Sequence, residues 1–170
     1  MDEERKLALL VKIAHAFNEA HLTWALGASG FLYLQGIAPS FHDLDLMIKE
    51  TDAPKAVEIL SSLGQRSPEN YDRTRYGTVL FAEFVIAGVD IDLIAGFSII
   101  ALGVEHHFPL DNRSIAGFFD LEGEQIPVES LPAWRERYAL MERQEKVAMI
   151  DAALRESHRL TPHYRFSPKD

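Results

Sequence analysis

Residues 42–48 read His-Asp-Leu-Asp-Leu-Met-Ile, and this stretch says most about the fold and the chemistry of the chain. In an extended strand successive side chains point to opposite faces, so Asp43 and Asp45 share one face and the leucines share the other. Neighbouring carboxylates repel each other, and burial increases the repulsion. A divalent cation offsets it, since Mg²⁺ takes oxygen ligands and is usually held by one or two carboxylates plus phosphates. The stretch therefore predicts a strand with a metal-binding face.

A second stretch repeats this pattern. Residues 89–94 read Val-Asp-Ile-Asp-Leu-Ile, which places Asp90 and Asp92 together on one face of another strand. Three or more acids on neighbouring strands are typical of a metal site for phosphoryl or nucleotidyl transfer. The simpler alternative for Asp43 and Asp45 is that they face solvent along an edge strand.

Composition narrows the class of protein. The 170 residues are 47% hydrophobic and carry a formal net charge of −9, so a broad basic surface for nucleic acid is not expected. A small anionic ligand remains compatible, because a bound metal supplies positive charge locally. The absence of cysteine excludes disulfides and thiolate metal sites and fits the cytoplasm. No apolar run is long enough to span a bilayer, and the acidic start is not typical of a signal peptide.

The order of helical and extended patterns predicts one mixed α/β (α+β) domain. We expect an α/β core over residues 1–128, a helical part over residues 129–160 packed on that core, and a polar tail over residues 161–170. Residues 95–117 contain scattered Gly, Pro and Asp-Asn signals, which predict an irregular connection. The apolar stripe within residues 131–154 favours a core-facing helix over the contact surface of a homodimer.

A turn of small residues precedes the first acidic strand. Gly27-Ala28-Ser29-Gly30 lies where a short buried strand gives way to a helical pattern. Small residues let the backbone approach a phosphate, helix N-terminal N–H groups bind anions, and the Ser29 hydroxyl adds a donor. The alternative for Ser29 is that it is an ordinary helix N-cap.

These segments together resemble the nucleotidyltransferase superfamily related to DNA polymerase beta, and in particular its small bacterial members. The resemblance covers roughly residues 6–155 and implies a nucleotidyltransferase fold, with a mixed central sheet flanked by helices and a helical C-terminal part. Its specific motifs are residues 24–29 (Trp-Ala-Leu-Gly-Ala-Ser), 34–36 (Leu-Gln-Gly), 42–46 (His-Asp-Leu-Asp-Leu) and 88–94 (Gly-Val-Asp-Ile-Asp-Leu-Ile).

The resemblance also implies roles for individual residues. Asp43 and Asp45 would bind one or two Mg²⁺ or Mn²⁺ ions. Asp92, favoured over Asp90 by the family's hydrophobic-acid-hydrophobic pattern, would complete the metal site and help to activate the acceptor hydroxyl as a base. The triphosphate would be held by Gly27, Ala28, Ser29 and Lys146. The alternative for Lys146 is an exposed helix lysine.

The implied activity is metal-dependent transfer of a nucleoside monophosphate from a nucleoside triphosphate to a hydroxyl group of a small molecule or of another protein. One position departs from the family pattern, because the glycine expected at residue 28 stands at residue 27. Alanine is costly there only if the backbone needs a positive φ. A catalytically inactive binding module, acting as a regulatory or antitoxin-like partner protein, is therefore the alternative function. A toxin acting on RNA is a third, which the net charge argues against.

Overall fold

A computed structural model describes residues 2–156 and 164–170. The helices are α1 (Glu3–Glu19), α2 (Ala28–Leu34), α3 (Ala53–Leu63), α4 (Leu131–Leu140) and α5 (Gln144–Arg155). The strands are β1 (Trp24–Gly27), β2 (Leu44–Ile48), β3 (Gln65–Arg66), β4 (Leu80–Ile86), β5 (Val89–Ala95), β6 (Phe97–Ala101), β7 (Val104–Phe108), β8 (Gly117–Leu121), β9 (Glu124–Val128) and β10 (Phe166–Pro168). The predicted mixed α+β class is confirmed. None of the helices in these two ranges is long and apolar enough to cross a membrane.

The largest sheet has five strands in the order β1-β2-β5-β4-β3. Strands β2 and β5 run parallel to each other, and all other neighbours in this sheet are antiparallel. The two strands that carry the acidic pairs are therefore direct neighbours at the centre of the sheet. They are not edge strands, so the alternative of acids facing solvent along an edge is wrong.

The apolar face of these two central strands forms part of the core. Its side chains Leu44, Leu46, Ile91 and Leu93 are fully buried. Helix α1 contributes a stripe to the same core at three- and four-residue steps, as its amphipathic pattern predicts. The fully buried residues of that stripe are Leu10, Ile13, Ala14 and Phe17.

Three hairpins share one kind of two-residue turn. Ala87-Gly88, Leu102-Gly103 and Glu122-Gly123 each have positive φ at both positions. This geometry is that of the type I′ turn, whose twist matches the twist of the flanking strands. The second turn joins β6 to β7, so the prediction of an irregular connection over residues 95–117 is wrong for residues 97–108. Its first turn residue, Leu102, is fully exposed and resembles no standard turn signal.

The C-terminal part consists of two helices and a returning strand. Helices α4 and α5 are separated by residues 141–143, and β10 pairs antiparallel with β8, so the tail contributes an edge strand to a second sheet of order β10-β8-β9. Residues 157–163, which include the expected end of the helical part at residue 160, lie outside the described residues.

Candidate active site

The predicted acids meet on one face of the central sheet. Asp45 in β2 and Asp92 in β5 are direct partners in the parallel register, so their side chains project from the same face at the same level. Asp90 lies two residues before Asp92 on that face and is exposed, whereas Asp43 immediately precedes β2 and is half-buried. The structure therefore brings together the four acids that the sequence singled out.

A fifth acid, Glu83, belongs to the same face and was not predicted from the sequence. Glu83 is the antiparallel partner of Asp92 across the β4–β5 pair, and it is half-buried. A sequence signal for it exists. Once Ala87-Gly88 is taken as a two-residue turn, counting back along both strands pairs Glu83 with Asp92.

Burial and mutual repulsion perturb three of these carboxyl groups. Burial first, and then the charge of Asp92, raise the pKa of Asp45 well above its ordinary value, and the two groups lie within hydrogen-bonding reach of each other. Burial raises the pKa of Asp92 to about 6, although the hydrogen bond with Asp45 works in the opposite direction. The pair therefore holds one proton more readily than two isolated aspartates would.

Asp43 is perturbed less and has positive neighbours. Burial and the charge of Asp90 raise the pKa of Asp43, while His42 and Lys6 lower it. Lys6 is buried on α1, and its ammonium group donates a hydrogen bond to the carbonyl oxygen of Phe41. This contact ties helix α1 to the loop that carries Asp43.

The β1–α2 junction combines a packing glycine with a strained alanine. A Cβ atom at Gly27 would lie 2.4 Å from Cζ2 of Trp134, so Gly27 is required for the approach of this indole. Ala28 has a φ of +52°, in the left-handed region that favours glycine. Gly27 occupies the N-cap position of α2, so the alternative that Ser29 is the N-cap is wrong.

A cavity of about 700 Å³ opens beside these groups, a size suited to a small ligand. Of the predicted site residues, those that line it are Ala28, Ser29, Asp43, Asp45 and Lys146. Lys146 is half-buried rather than fully exposed, and Arg143 also lines the cavity. Gly27, Asp90 and Asp92 are not among the lining residues. Asp90 instead lines a smaller adjoining cavity of about 270 Å³, which also contains Lys6 and Asp43.

Solved structures share this architecture. A candidate nucleotidyltransferase from Thermotoga maritima superposes with a TM-score of 0.71 at 24% identity, over 92% of this chain and 96% of that one. The chain has the nucleotidyltransferase fold. ANT(2'')-Ia, in complex with adenylyl-2''-tobramycin, matches with a TM-score of 0.60 at 15% identity, over 88% of this chain and 90% of that one. The lincosamide antibiotic adenylyltransferase LnuA, bound to lincomycin, matches with a TM-score of 0.58 at 13% identity, over 89% and 97%.

Sequence comparison adds nothing to this assignment. No protein-family model matches the chain, and no curated protein matches it significantly. The nucleotidyltransferase fold expected from the resemblance is therefore confirmed by structure.

The acids of this nucleotidyltransferase fold suit a metal that arrives with a ligand. Carboxylate oxygens are the donors that Mg²⁺ and Mn²⁺ prefer. Burial, followed by the charges of neighbouring acids, raises the pKa of Asp45 and of Asp92, and a bound cation would favour their ionised forms. Within the described residues, however, no group of three or more histidine or acidic side chains forms a ready-made metal site. Mg²⁺ commonly needs only one or two carboxylates when phosphates supply further oxygens. The donor set therefore fits a metal bound jointly by the protein and a polyphosphate.

Proposed function

We propose that this chain is a metal-dependent nucleotidyltransferase, which moves a nucleoside monophosphate from a nucleoside triphosphate to a hydroxyl group, in the first place that of a small molecule. The observation that carries the proposal is the pairing of Asp45 with Asp92 across two parallel strands, beside a cavity that also contains Asp43 and Lys146. Two structural neighbours act on antibiotics, which supports a small-molecule acceptor. A protein acceptor remains the second choice.

The binding roles fall to two groups of residues. Ser29 and Lys146 line it and supply a hydroxyl and an ammonium group for the triphosphate. Asp43 and Asp45 would hold Mg²⁺ or Mn²⁺. Asp92, the register partner of Asp45, and Asp90, in the smaller adjoining cavity, would complete the site. Gly27 acts on the site indirectly, since it only makes room for Trp134.

The reaction forms one bond and breaks one. The acceptor oxygen bonds to the α-phosphorus, the bond from that phosphorus to the bridging oxygen of the β-phosphate breaks, and pyrophosphate leaves with the electron pair. The acceptor proton passes to the carboxylate of Asp92, which is mostly ionised at pH 7 because its pKa is about 6. The metal, when bound, supplies positive charge that stabilises the attacking and leaving oxygens.

Calorimetric titration tests the proposal directly. Each of ATP, GTP, CTP and UTP is added in Mg²⁺ and again in Mn²⁺, and the titrations are repeated with a chelator. We expect micromolar binding that the chelator abolishes and that Asp43→Asn and Asp45→Asn each weaken by at least about tenfold. Asp120→Asn is the matched control, because Asp120 is an exposed acid on β8 whose oxygen accepts from the N–H of Gly123. Binding that ignores the chelator and both site variants would exclude the proposed site.

The alternative function, a catalytically inactive binding module, is favoured by one specific observation. Ala28 occupies a left-handed position where glycine is unstrained, at the turn expected to grip the triphosphate. Such a module would bind neither metal nor nucleotide and would copurify with a partner protein. Failure of all the titrations, followed by capture of one stoichiometric partner, would therefore replace the enzymatic proposal.

A further inference from the structure

One wall of the large cavity is built from consecutive aromatic rings. We call these five side chains the aromatic arc: Phe81, Tyr71, Tyr76, Phe97 and Trp134, in spatial order. Successive ring centroids are 5.5, 6.3, 6.4 and 6.3 Å apart. All five side chains line the cavity. Phe97 and Trp134 are buried and form the back of the wall, whereas Tyr71, Tyr76 and Phe81 are half-buried and leave ring surface open to the cavity.

The position of the arc relative to the acids follows from the strand register. Phe81 in β4 pairs with Ile94 in β5, two residues along each strand from the pair formed by Glu83 and Asp92. These four side chains share one face, and two residues of a strand span about 7 Å. Ser29 lies in the opposite direction, because β1 runs antiparallel to β2 and ends opposite Asp45. The Phe81 end of the arc thus lies beyond the carboxylates, on the side away from Ser29, whereas its Trp134 end packs against Gly27.

The two loop tyrosines of the arc are fixed before any ligand binds. The hydroxyl of Tyr71 accepts a 2.6 Å hydrogen bond from the N–H of Thr78, and the hydroxyl of Tyr76 donates to the sulfur of Met141 at 3.5 Å. Both rings are half-buried, so part of each remains open to the cavity. Rings held in this way lose little side-chain entropy when a ligand packs on them.

We infer that the aromatic arc stacks on the base of the nucleoside triphosphate and distinguishes poorly among the bases. This inference rests on the proposed function, in which a metal held by Asp43 and Asp45 stabilises the oxygens around the α-phosphate. The separation of about 7 Å suits a ribose between that phosphate and a ring on the arc. Stacking is tolerant of base identity because every base has a π face.

The polar groups beside the arc support weak discrimination. The hydroxyls of Tyr71 and Tyr76 are engaged as described, and the hydroxyl of Thr78 bonds both the N–H and the carbonyl oxygen of Ser98. Strong selection between bases needs hydrogen-bonding groups that are left unpaired by the wrong base. Two further polar side chains of the loop that carries the tyrosines, Asn70 and Asp72, line the cavity and are exposed.

Calorimetry with Mg·ATP and Mg·tripolyphosphate separates the base from the phosphates. In the unchanged protein we expect Mg·ATP to bind about 5- to 50-fold more tightly than Mg·tripolyphosphate, and Mg·GTP to match Mg·ATP within about threefold. Tyr76→Leu should remove most of the advantage of Mg·ATP and leave the affinity for Mg·tripolyphosphate unchanged. Tyr76→Phe keeps the ring and should bind Mg·ATP as the unchanged protein does.

The control is Tyr164→Leu, since Tyr164 is also half-buried, packs on Tyr33 and does not line the cavity. If Mg·ATP and Mg·tripolyphosphate bind with equal affinity, or if Tyr76→Leu binds Mg·ATP normally, base stacking is excluded while the proposed function stands. A difference of more than about 30-fold between Mg·ATP and Mg·GTP would also overturn the inference, because it requires hydrogen-bond selection. If neither Mg·ATP nor Mg·tripolyphosphate binds, the proposed function fails, and base stacking fails with it.

Discussion

Asp92→Asn is predicted to stabilise the metal-free protein at neutral pH while abolishing metal-dependent nucleotide binding. The native side chain is a half-buried carboxylate that faces Asp45 across the parallel strands and Glu83 across the antiparallel pair. Asparagine has almost the same shape, and its amide can donate to the Asp45 carboxylate without an added proton. The substitution therefore removes one repelling charge and retains the packing.

The magnitude follows from the pKa of Asp92. A rise in this pKa from 3.8 to about 6 corresponds to about 3 kcal/mol of destabilisation of the ionised form. Because Asp92 is only half-buried and shares a proton with Asp45, we reduce the expected gain to about 1–2 kcal/mol. Between these two pKa values the folded state binds more protons than the unfolded state, so native stability falls as the pH rises. The advantage of Asp92→Asn should therefore be small near pH 4 and complete above about pH 7.

Urea unfolding in the presence of a chelator, monitored by tryptophan fluorescence at pH values from 4.5 to 8, measures the difference in free energy of unfolding between Asp92→Asn and the unchanged protein. At pH 7.5 the free energy of unfolding should be higher by about 1–2 kcal/mol, and in a thermal scan the melting temperature should be higher by about 3–6 °C. Asp90→Asn is the control, since Asp90 is an exposed acid on the same strand and should change stability by less than about 0.5 kcal/mol. A loss of stability for Asp92→Asn at pH 7.5, or a gain that does not change with pH, would show that the carboxylate is structural and would refute the reasoning.

Two further predictions concern the surroundings of the site. Ala28→Gly should raise the free energy of unfolding by about 0.5–1 kcal/mol, because relief of the left-handed strain exceeds the extra entropy of glycine in the unfolded chain. A lower free energy of unfolding in a urea titration would contradict this. Arg137→Met should lower the free energy of unfolding by about 3–5 kcal/mol, because Glu129, bound to Arg137 at 2.7 and 2.9 Å, is left buried without a partner. Adding Glu129→Leu should restore most of this loss, and a double variant as unstable as Arg137→Met would exclude the explanation.

Local patterns in the sequence were enough to predict the acid-bearing strands. Alternation over residues 43–48 and 89–94 defined one polar face and one apolar face, and the structure differs only in starting the first strand at Leu44 and ending the second at Ala95. Adjacency of the two strands was assumed from the repeated acidic pattern, which does not by itself specify strand pairing. The parallel pairing of β2 with β5 depends on a crossover of about forty residues, which no local signal specifies.

The hairpin of β6 and β7 could not be predicted from local sequence, because neither its turn nor strand β7 has the usual sequence pattern of a hairpin. Leu102 adopts a positive φ that leucine rarely takes, although the glycine after it matches the other two hairpin turns. Strand β7 is largely exposed, so its sequence lacks the apolar alternation of a core strand. In this hairpin the tertiary structure overrides the local preference of the turn residue.

The candidate site shows the same limit at a finer scale. Lys146 is more than a hundred residues from Ser29 and Asp43 in the chain, and only the fold brings the three to one cavity. The aromatic arc is assembled from a loop, two strands and helix α4, so no spacing in the sequence could reveal it. The acids define where transfer would occur, whereas the arc defines what is held beside them. For that reason the affinity difference between Mg·ATP and Mg·tripolyphosphate carries information that the acidic motifs alone do not contain.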